Sequence, residues 1–555
     1  MKFHSYILIL LHVLLFACAT PGAPIGGPKD ETPPKNLKTL PENFTTNFTS
    51  KKIAFYFNEL VALKDMNSQL IVSPPLIHRP DIKDNGKVVN VIIKDTLLPN
   101  TTYNFDFGDA ITDNNEGNIL KNFSYTFSTG NHIDTLTICG KVLDALSLEP
   151  KKKVTVLLHD SLQSVFDKRN IRAIARTDDE GNFCLSNLNS EARYVIALED
   201  ANKDNKYDTI QDAIGFFPEK SAPKFLIAPV YPDSCSSEDS TMILDSITLL
   251  NDYHPITILT FKQKLVQAVV TSEFVHPYKI ALGFRNEMKN KPSIECIQPS
   301  IPKDSLYLLW TSNTEVKISL PKDTVVAKNA VLIVNYGNRN DTLKIANTKA
   351  NTALDKLKIE AKFGNTLPYF EKFTMTTSRP IREIAKDKIR YFVNDSTTVP
   401  LDFTVIDAEN IILNYPFDSI KQHKILIPDS CFFDIYGFTN DTVKINFSIA
   451  NKESFAKVLF NFESEYAFQN AVLQLLNDKF VVLDEYEFAA LPDTFLLENI
   501  KAASYRFRIF IDSNHDGLWS PGNIITSEMP EQIFLLPKTM KLEKGWEYEE
   551  DWKLE

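Results

Sequence analysis

Along most of this chain the apolar residues recur at every second position. Ile53, Phe55 and Phe57 alternate with Ala54 and Tyr56; Tyr103, Phe105 and Phe107 alternate in turn, as do Phe123, Tyr125 and Phe127. A period of two sets one side of a strand against a core and the other toward solvent. Val89, Val91 and Ile93 follow Asn85-Gly86, a pair that strongly predicts a hairpin. The runs are short, Asn, Asp, Gly and Pro divide them, and no long stripe of helical spacing interrupts them. The pattern predicts an all-β protein built from tandem sandwiches of about a hundred residues each.

The first 36 residues break this pattern. Lys2 precedes an apolar run from Ile7 to Phe16, and then comes Leu15-Phe16-Ala17-Cys18. The run is too short to span a bilayer as a stable helix, so residues 1–17 read as a lipoprotein signal peptide. Cys18 is the expected lipidation site. Its thiol would take a lipid and its amine an acyl chain such as palmitate, and two or more chains hold a protein stably on a membrane. Residues 18–36 are rich in Pro and Gly and nearly free of large apolar side chains, which suits a tether.

Beyond the tether the expected units are residues 37–131, 134–222, 251–348, 352–450 and 453–555. The stretch Leu98-Pro-Asn-Thr-Thr-Tyr-Asn-Phe-Asp-Phe-Gly108, with Asp109 to Asn118 and Phe123 to Gly130, resembles the bacterial Ig-like domain of surface-layer proteins. Together with the lipobox and Gly26-Gly-Pro-Lys-Asp30, it resembles Ig-like-domain lipoproteins of the Bacteroidetes. That resemblance implies an Ig-like fold and an outer-membrane, cell-envelope location, and it implies no catalytic residues. Cys139-Gly-Lys-Val142, Asp179-Glu-Gly-Asn-Phe183 and Tyr194 to Leu198 resemble transthyretin-like or carboxypeptidase-regulatory-like sandwiches. Residues 352–450 and 453–555 parallel the first two units, which implies a tandem repeat.

Charge and cysteine content narrow the partners. The formal net charge is −11, and no Lys/Arg-rich patch offers phosphates a landing site, so nucleic acid is not expected. There are six cysteines. With Cys18 lipidated, Cys139, Cys184, Cys235, Cys296 and Cys431 are left without metal-site spacing. Cys139 and Cys184 fall on two strands of one unit and either pair or stay as buried thiols, the second being the expectation. An oxidising compartment permits the bond.

One constellation has a specific chemistry. Asp200, Asn202, Asp204 and Asp208 form an Asp-x-Asn-x-Asp loop with a further carboxylate, and Asp512, Asn514 and Asp516 form a second, followed by Gly517. Oxygen side chains at positions one, three and five suit calcium, although Gln211 and Asn523 stand where a bidentate Glu would. The same residues suit turns closed by side-chain to backbone hydrogen bonds. Asp-Ser/Thr followed by an aliphatic residue recurs along the chain, as at Asp95-Thr96-Leu97, Asp134-Thr135-Leu136, Asp341-Thr342-Leu343 and Asp441-Thr442-Val443. It resembles an O-glycosylation acceptor and also describes a turn feeding a strand.

Motifs of zinc proteases, serine hydrolases and P-loop enzymes do not occur in the sequence. The expected function is that of a non-enzymatic envelope lipoprotein with a structural, adhesive or scaffolding role, its membrane partner reached through the lipid. Envelope proteins or glycans are the other partners expected. The alternative is a surface glycan-binding protein for nutrient capture. Four tryptophans, at 310, 519, 546 and 552, are too scattered for the sequence to show an aromatic platform.

Overall fold

The computed structural model describes residues 30–225, 255–322, 328–393, 397–417 and 422–555. Cys18, most of the tether and Cys235 lie outside them. Strands dominate the described chain, and they assemble into five two-layered sandwiches, each around its own apolar cluster.

In the first sandwich one sheet runs Asn36–Leu40, Lys52–Phe57, Val88–Ile92, Asp81–Asn85, and the facing sheet runs Ile71–Ser73, Thr102–Asp106, Ser124–Ser128. The hairpin forms where Asn85-Gly86 predicts it. Asn85 pairs with Val88, and Gly86 takes a φ of 71° that glycine adopts without steric cost. Ile53, Phe55, Phe57, Phe105, Phe107 and Phe127 are buried between the sheets, as the period of two requires. A small ribbon, Val61–Leu63 with Ile111–Asp113, closes one end. There the Asp113 carboxylate accepts the amides of Asn115, Glu116, Gly117 and Asn118. Desolvation pushes its pKa up, but these four bonds outweigh it and hold the group at about 2.

The fourth sandwich repeats the strand order of the first and adds Thr366–Pro368 and Thr398–Val399 at the edges of its second sheet. Ile359–Ala361, Thr374–Thr377, Asn410–Asn414 and Asp402–Val405 take the places of the first sheet, while Arg390–Phe392, His423–Ile427 and Val443–Ala450 take those of the second. The end ribbon recurs as Ile381–Ile384 with Phe432–Asp434, so Asp434 occupies the place of Asp113. The third sandwich has its own order. Val269–His276, Lys279–Phe284, Glu315–Ser319 and Tyr307–Trp310 face Ser293–Gln298, Asn329–Asn335 and Asn340–Ala346.

The second and fifth sandwiches also share one topology. The second has Asn182–Leu188, Leu136–Asp144, Ile256–Thr260 in one sheet and Ile171–Arg176, Thr155–His159, Tyr194–Glu199, Ala213–Phe216 in the other. The fifth matches it with Thr494–Lys501, Phe455–Glu463, Glu547–Lys553 and Val482–Ala490, Gln469–Leu476, Ser504–Ile511, Ile533–Leu535. In each, the last strand runs parallel to the first.

That match moves one boundary. Residues 256–260, expected to open the third unit at 251–348, instead close the second. Gly140 pairs with Ile256, and Phe261 exchanges both backbone bonds with Ile214 at 2.8 Å. Two glycines allow this approach, since a Cβ on Gly140 or Gly215 would collide with the carbonyl oxygen of Ile256 or Leu259. Gly215→Val should therefore weaken the second sandwich by about 1–3 kcal/mol through overpacking. Hydrogen exchange should accelerate in Ile256–Thr260 and not in the third sandwich. Protection of that strand unchanged from the parent would contradict the assignment.

Cys139 and Cys184 stand directly opposite on antiparallel strands, 4.1 Å apart at Cα, and form a disulfide. The expectation of two buried thiols is thus corrected. Both side chains lie on the outer face of the sheet, Cys139 half-buried and Cys184 exposed, because their inward neighbours are Ile138, Phe183 and Leu185. Cys296 and Cys431 are buried free thiols.

The sandwiches do not simply follow one another. Lys279 of the third pairs with Glu409 of the fourth at 2.5 Å with both groups buried, and Tyr436 stacks on Tyr278 across the same boundary. Phe370 of the fourth packs on Phe455 of the fifth. The fifth returns to the second, where Ile524 joins the cluster of Ile214, Phe216 and Phe261. The second to fifth sandwiches thereby close into one cluster.

Candidate binding cleft

Both acidic loops fall at the same place in their sandwiches, directly after Tyr194–Glu199 and Ser504–Ile511. In the first, Asp200 accepts the amides of Lys203, Asp204 and Asn205, Asn202 accepts that of Asp204, Asp204 that of Lys206, and Asp208 that of Ile210. In the second, Asp512 accepts from Asp516 and Gly517, Asn514 from Asp516, and Asp516 from Leu518. The oxygens thus serve the loop's own backbone. Desolvation raises the pKa of Asp200 despite its three amide bonds. Among the described residues, no group of three or more His, Cys, Asp or Glu side chains is arranged to hold a metal ion.

The loops differ in what they face. The first lines a cavity of about 280 Å³ against the first sandwich, beside Arg79 and Arg176. The second lies against Lys289 of the third sandwich at Gly517 and against Lys264 of the preceding link, 3.8 Å from Asp516, and it leads into Leu518 and Trp519. Trp519 is pinned by its indole N–H, which donates to the Glu531 carbonyl at 3.0 Å.

Trp519 opens onto a broad cleft. This cleft of about 960 Å³ lies where the second, third and fifth sandwiches meet. The third sandwich contributes Trp310 and the polar turn Thr311 to Thr314. The fifth contributes Phe480, Gln474, Glu485 and Arg508, and the second contributes Leu146. Trp310 and Trp519, distant in sequence, therefore share one cavity that the scattered tryptophan positions did not foretell.

Arg508 forms the floor. It is 4% exposed, its Nε donates to the Gln474 side chain and its Nη1 to the Leu146 carbonyl, both at 2.8 Å. Gln474 in turn donates to Glu485 at 2.7 Å, and Glu485 lies 3.8 Å from Lys289. Burial lowers the Arg508 pKa to about 10, while Asp144 and Glu485 act against it. Its direct hydrogen-bond acceptors are neutral, and among the described residues no carboxylate pairs with it. Lys291 sits at the rim, 4.7 Å above the Trp310 ring, and donates to Asn313 at 2.9 Å.

His159 and His423 are buried, with ring Nδ1 atoms 2.8 Å from the Ser164 and Tyr391 hydroxyls. Of the Asp-Ser/Thr-aliphatic sites, Thr96, Thr135, Thr342 and Thr442 are exposed. Among the described residues no helix is long and apolar enough to cross a membrane.

These features define a tandem Ig-like β-sandwich protein. Its first sandwich, residues 30–129, matches the family model of the bacterial Ig-like domain. Among solved structures, domains 1–6 of the surface layer protein SbsC are similar at 12% identity and a TM-score of 0.14, over 92% of this chain and 67% of that one. Titin domains A168–A170 are similar at 9% identity and a TM-score of 0.14, over 49% and 98%. The major pilin subunit BcpA of Bacillus cereus is similar at 10% identity and the same score, over 75% and 99%. Likeness at this level does not extend to function. No curated protein matches the sequence.

Proposed function

We propose that this chain is a cell-envelope lipoprotein, anchored in the outer membrane through Cys18, whose Ig-like sandwiches act as a structural or adhesive module. The observation that carries the reading is an export signature on a chain with a disulfide. The Leu-Phe-Ala-Cys sequence precedes a cross-strand bridge between Cys139 and an exposed Cys184, a bond that persists in oxidising compartments. The closed cluster of four sandwiches suits a rigid platform held off the membrane by a tether. Such a platform needs no chemistry of its own.

Cys18→Ser tests the anchor. The variant should accumulate as unprocessed precursor or leave the membrane fraction, whereas the parent partitions into detergent. A variant that fractionates and migrates like the parent would end the lipoprotein reading. A second reading, capture of glycans at the envelope, is favoured by the cleft, whose lining places indole rings beside amide and hydroxyl side chains.

A further inference from the structure

We infer that the cleft between the second, third and fifth sandwiches binds an oligosaccharide bearing carboxylate groups, with Arg508 as its anion-binding residue. This rests on the glycan reading of the cleft and specifies its ligand. The argument begins with Arg508. A guanidinium removed from water is ordinarily paired with an anion, because neutral acceptors repay only part of its lost hydration. Here two nitrogens bond to neutral oxygens, and among the described residues Nη2 meets no acceptor, although the side chain lines an open cavity. Neither nearby carboxylate fills the role: Asp144 accepts the amides of Leu146 and Ser147 and pairs with Lys151 at 3.1 Å, and Glu485 accepts from Gln474 and lies within ion-pair distance of Lys289. Glu287, the other carboxylate of the lining, is exposed at the rim.

The remaining lining describes the rest of the ligand. Trp310, Phe480 and Trp519 offer apolar surface, and Asn286, Asn313 and Thr311 offer hydrogen bonds within the same volume. A pyranose is amphipathic in this way. Its carbon-bound hydrogens suit the negative face of an aromatic ring, and its hydroxyls point outward at the edge. Lys291 rests on Trp310, so an incoming carboxylate could take the ammonium as a partner while the sugar ring takes its place over the indole. Two cations and an aromatic wall select an acidic sugar over a neutral one.

The test is titration calorimetry on the full mature chain with matched pairs: tetragalacturonate against its methyl ester, and sialyllactose against lactose. At least one acidic member should bind about tenfold or more tightly than its neutral partner, with affinity falling as salt rises. Arg508→Gln should weaken the acidic ligand by about tenfold or more and leave the neutral one nearly unchanged. Lys291→Ala, at an exposed position outside the apolar clusters, should weaken it severalfold. Equal binding of acidic and neutral partners would overturn the acidic assignment and keep the glycan reading. No binding of any member would overturn both, and the Cys18 anchor would still stand or fall on its own fractionation. Acidic binding unaffected by both substitutions would remove Arg508 and the cleft from the account.

Discussion

Replacing Arg379 by methionine is expected to destabilise the fourth sandwich by about 3–5 kcal/mol, the penalty for leaving a buried carboxylate without its cation. Asp434 is fully buried and Arg379 nearly so, with Nε 2.5 Å from the carboxylate. The other carboxylate oxygen accepts the amides of Tyr436 and Phe438, which shapes the turn after Phe432–Asp434. That turn carries Tyr436 into the third sandwich, where its hydroxyl donates to the Leu320 carbonyl at 2.9 Å and its ring stacks on Tyr278. The substitution should therefore loosen the boundary between the two sandwiches as well as the fourth core. Calorimetry should show the fourth sandwich melting earlier, and proteolysis should reach residues 346–356 sooner. Arg379→Met with Asp434→Asn should recover part of the loss, because no charge is then left buried alone. A single variant as stable as the parent would mean that the pair contributes nothing beyond packing.

The first sandwich solves the same problem without a cation, and the comparison shows what a repeat preserves. Asp113 and Asp434 end equivalent ribbon strands and both accept backbone amides from the following turn. Asp113 has four such bonds and Asp434 two, with the guanidinium making up the difference. What recurs is an acceptor at the end of the ribbon, and its partners vary.

Strand content was legible because the period of two survives wherever one face is buried, as in Ile53, Phe55 and Phe57. The repeat was legible where strand and turn keep their order, as in the two acidic loops. Closure was not. Residues 256–260 follow a long segment after Ala213–Phe216, and a parallel partner leaves no local turn signal to betray it. The cleft was hidden for a related reason. Arg508 lies in Tyr505-Arg-Phe-Arg-Ile509, where alternation assigns it to the solvent side of a single sandwich; the second sandwich, packed on that side, buries it. Positions outward for one sandwich become interior when sandwiches meet. The disulfide was open for want of register, since one residue of slip would have turned Cys184 away from Cys139.

That bridge carries the second large effect. Closing a loop with a sequence separation of 45 residues removes about 4 kcal/mol of chain entropy from the unfolded second sandwich. Both cysteines lie on the outer face, so Cys139→Ser with Cys184→Ser opens no cavity in the core, and the loss should come almost wholly through the unfolded state. Two signatures distinguish this origin from damaged packing. The denaturant midpoint of the second sandwich should fall, and its m-value should rise as the unlinked chain exposes more surface. Reductant should reproduce both effects in the parent and change neither in the double variant. Cys296 and Cys431 sit buried in other cores as free thiols, so the third and fourth sandwiches should melt alike with or without reductant. A non-reducing peptide map that finds Cys139 and Cys184 unlinked in protein from the envelope would sink the prediction, and with it the redox argument for export.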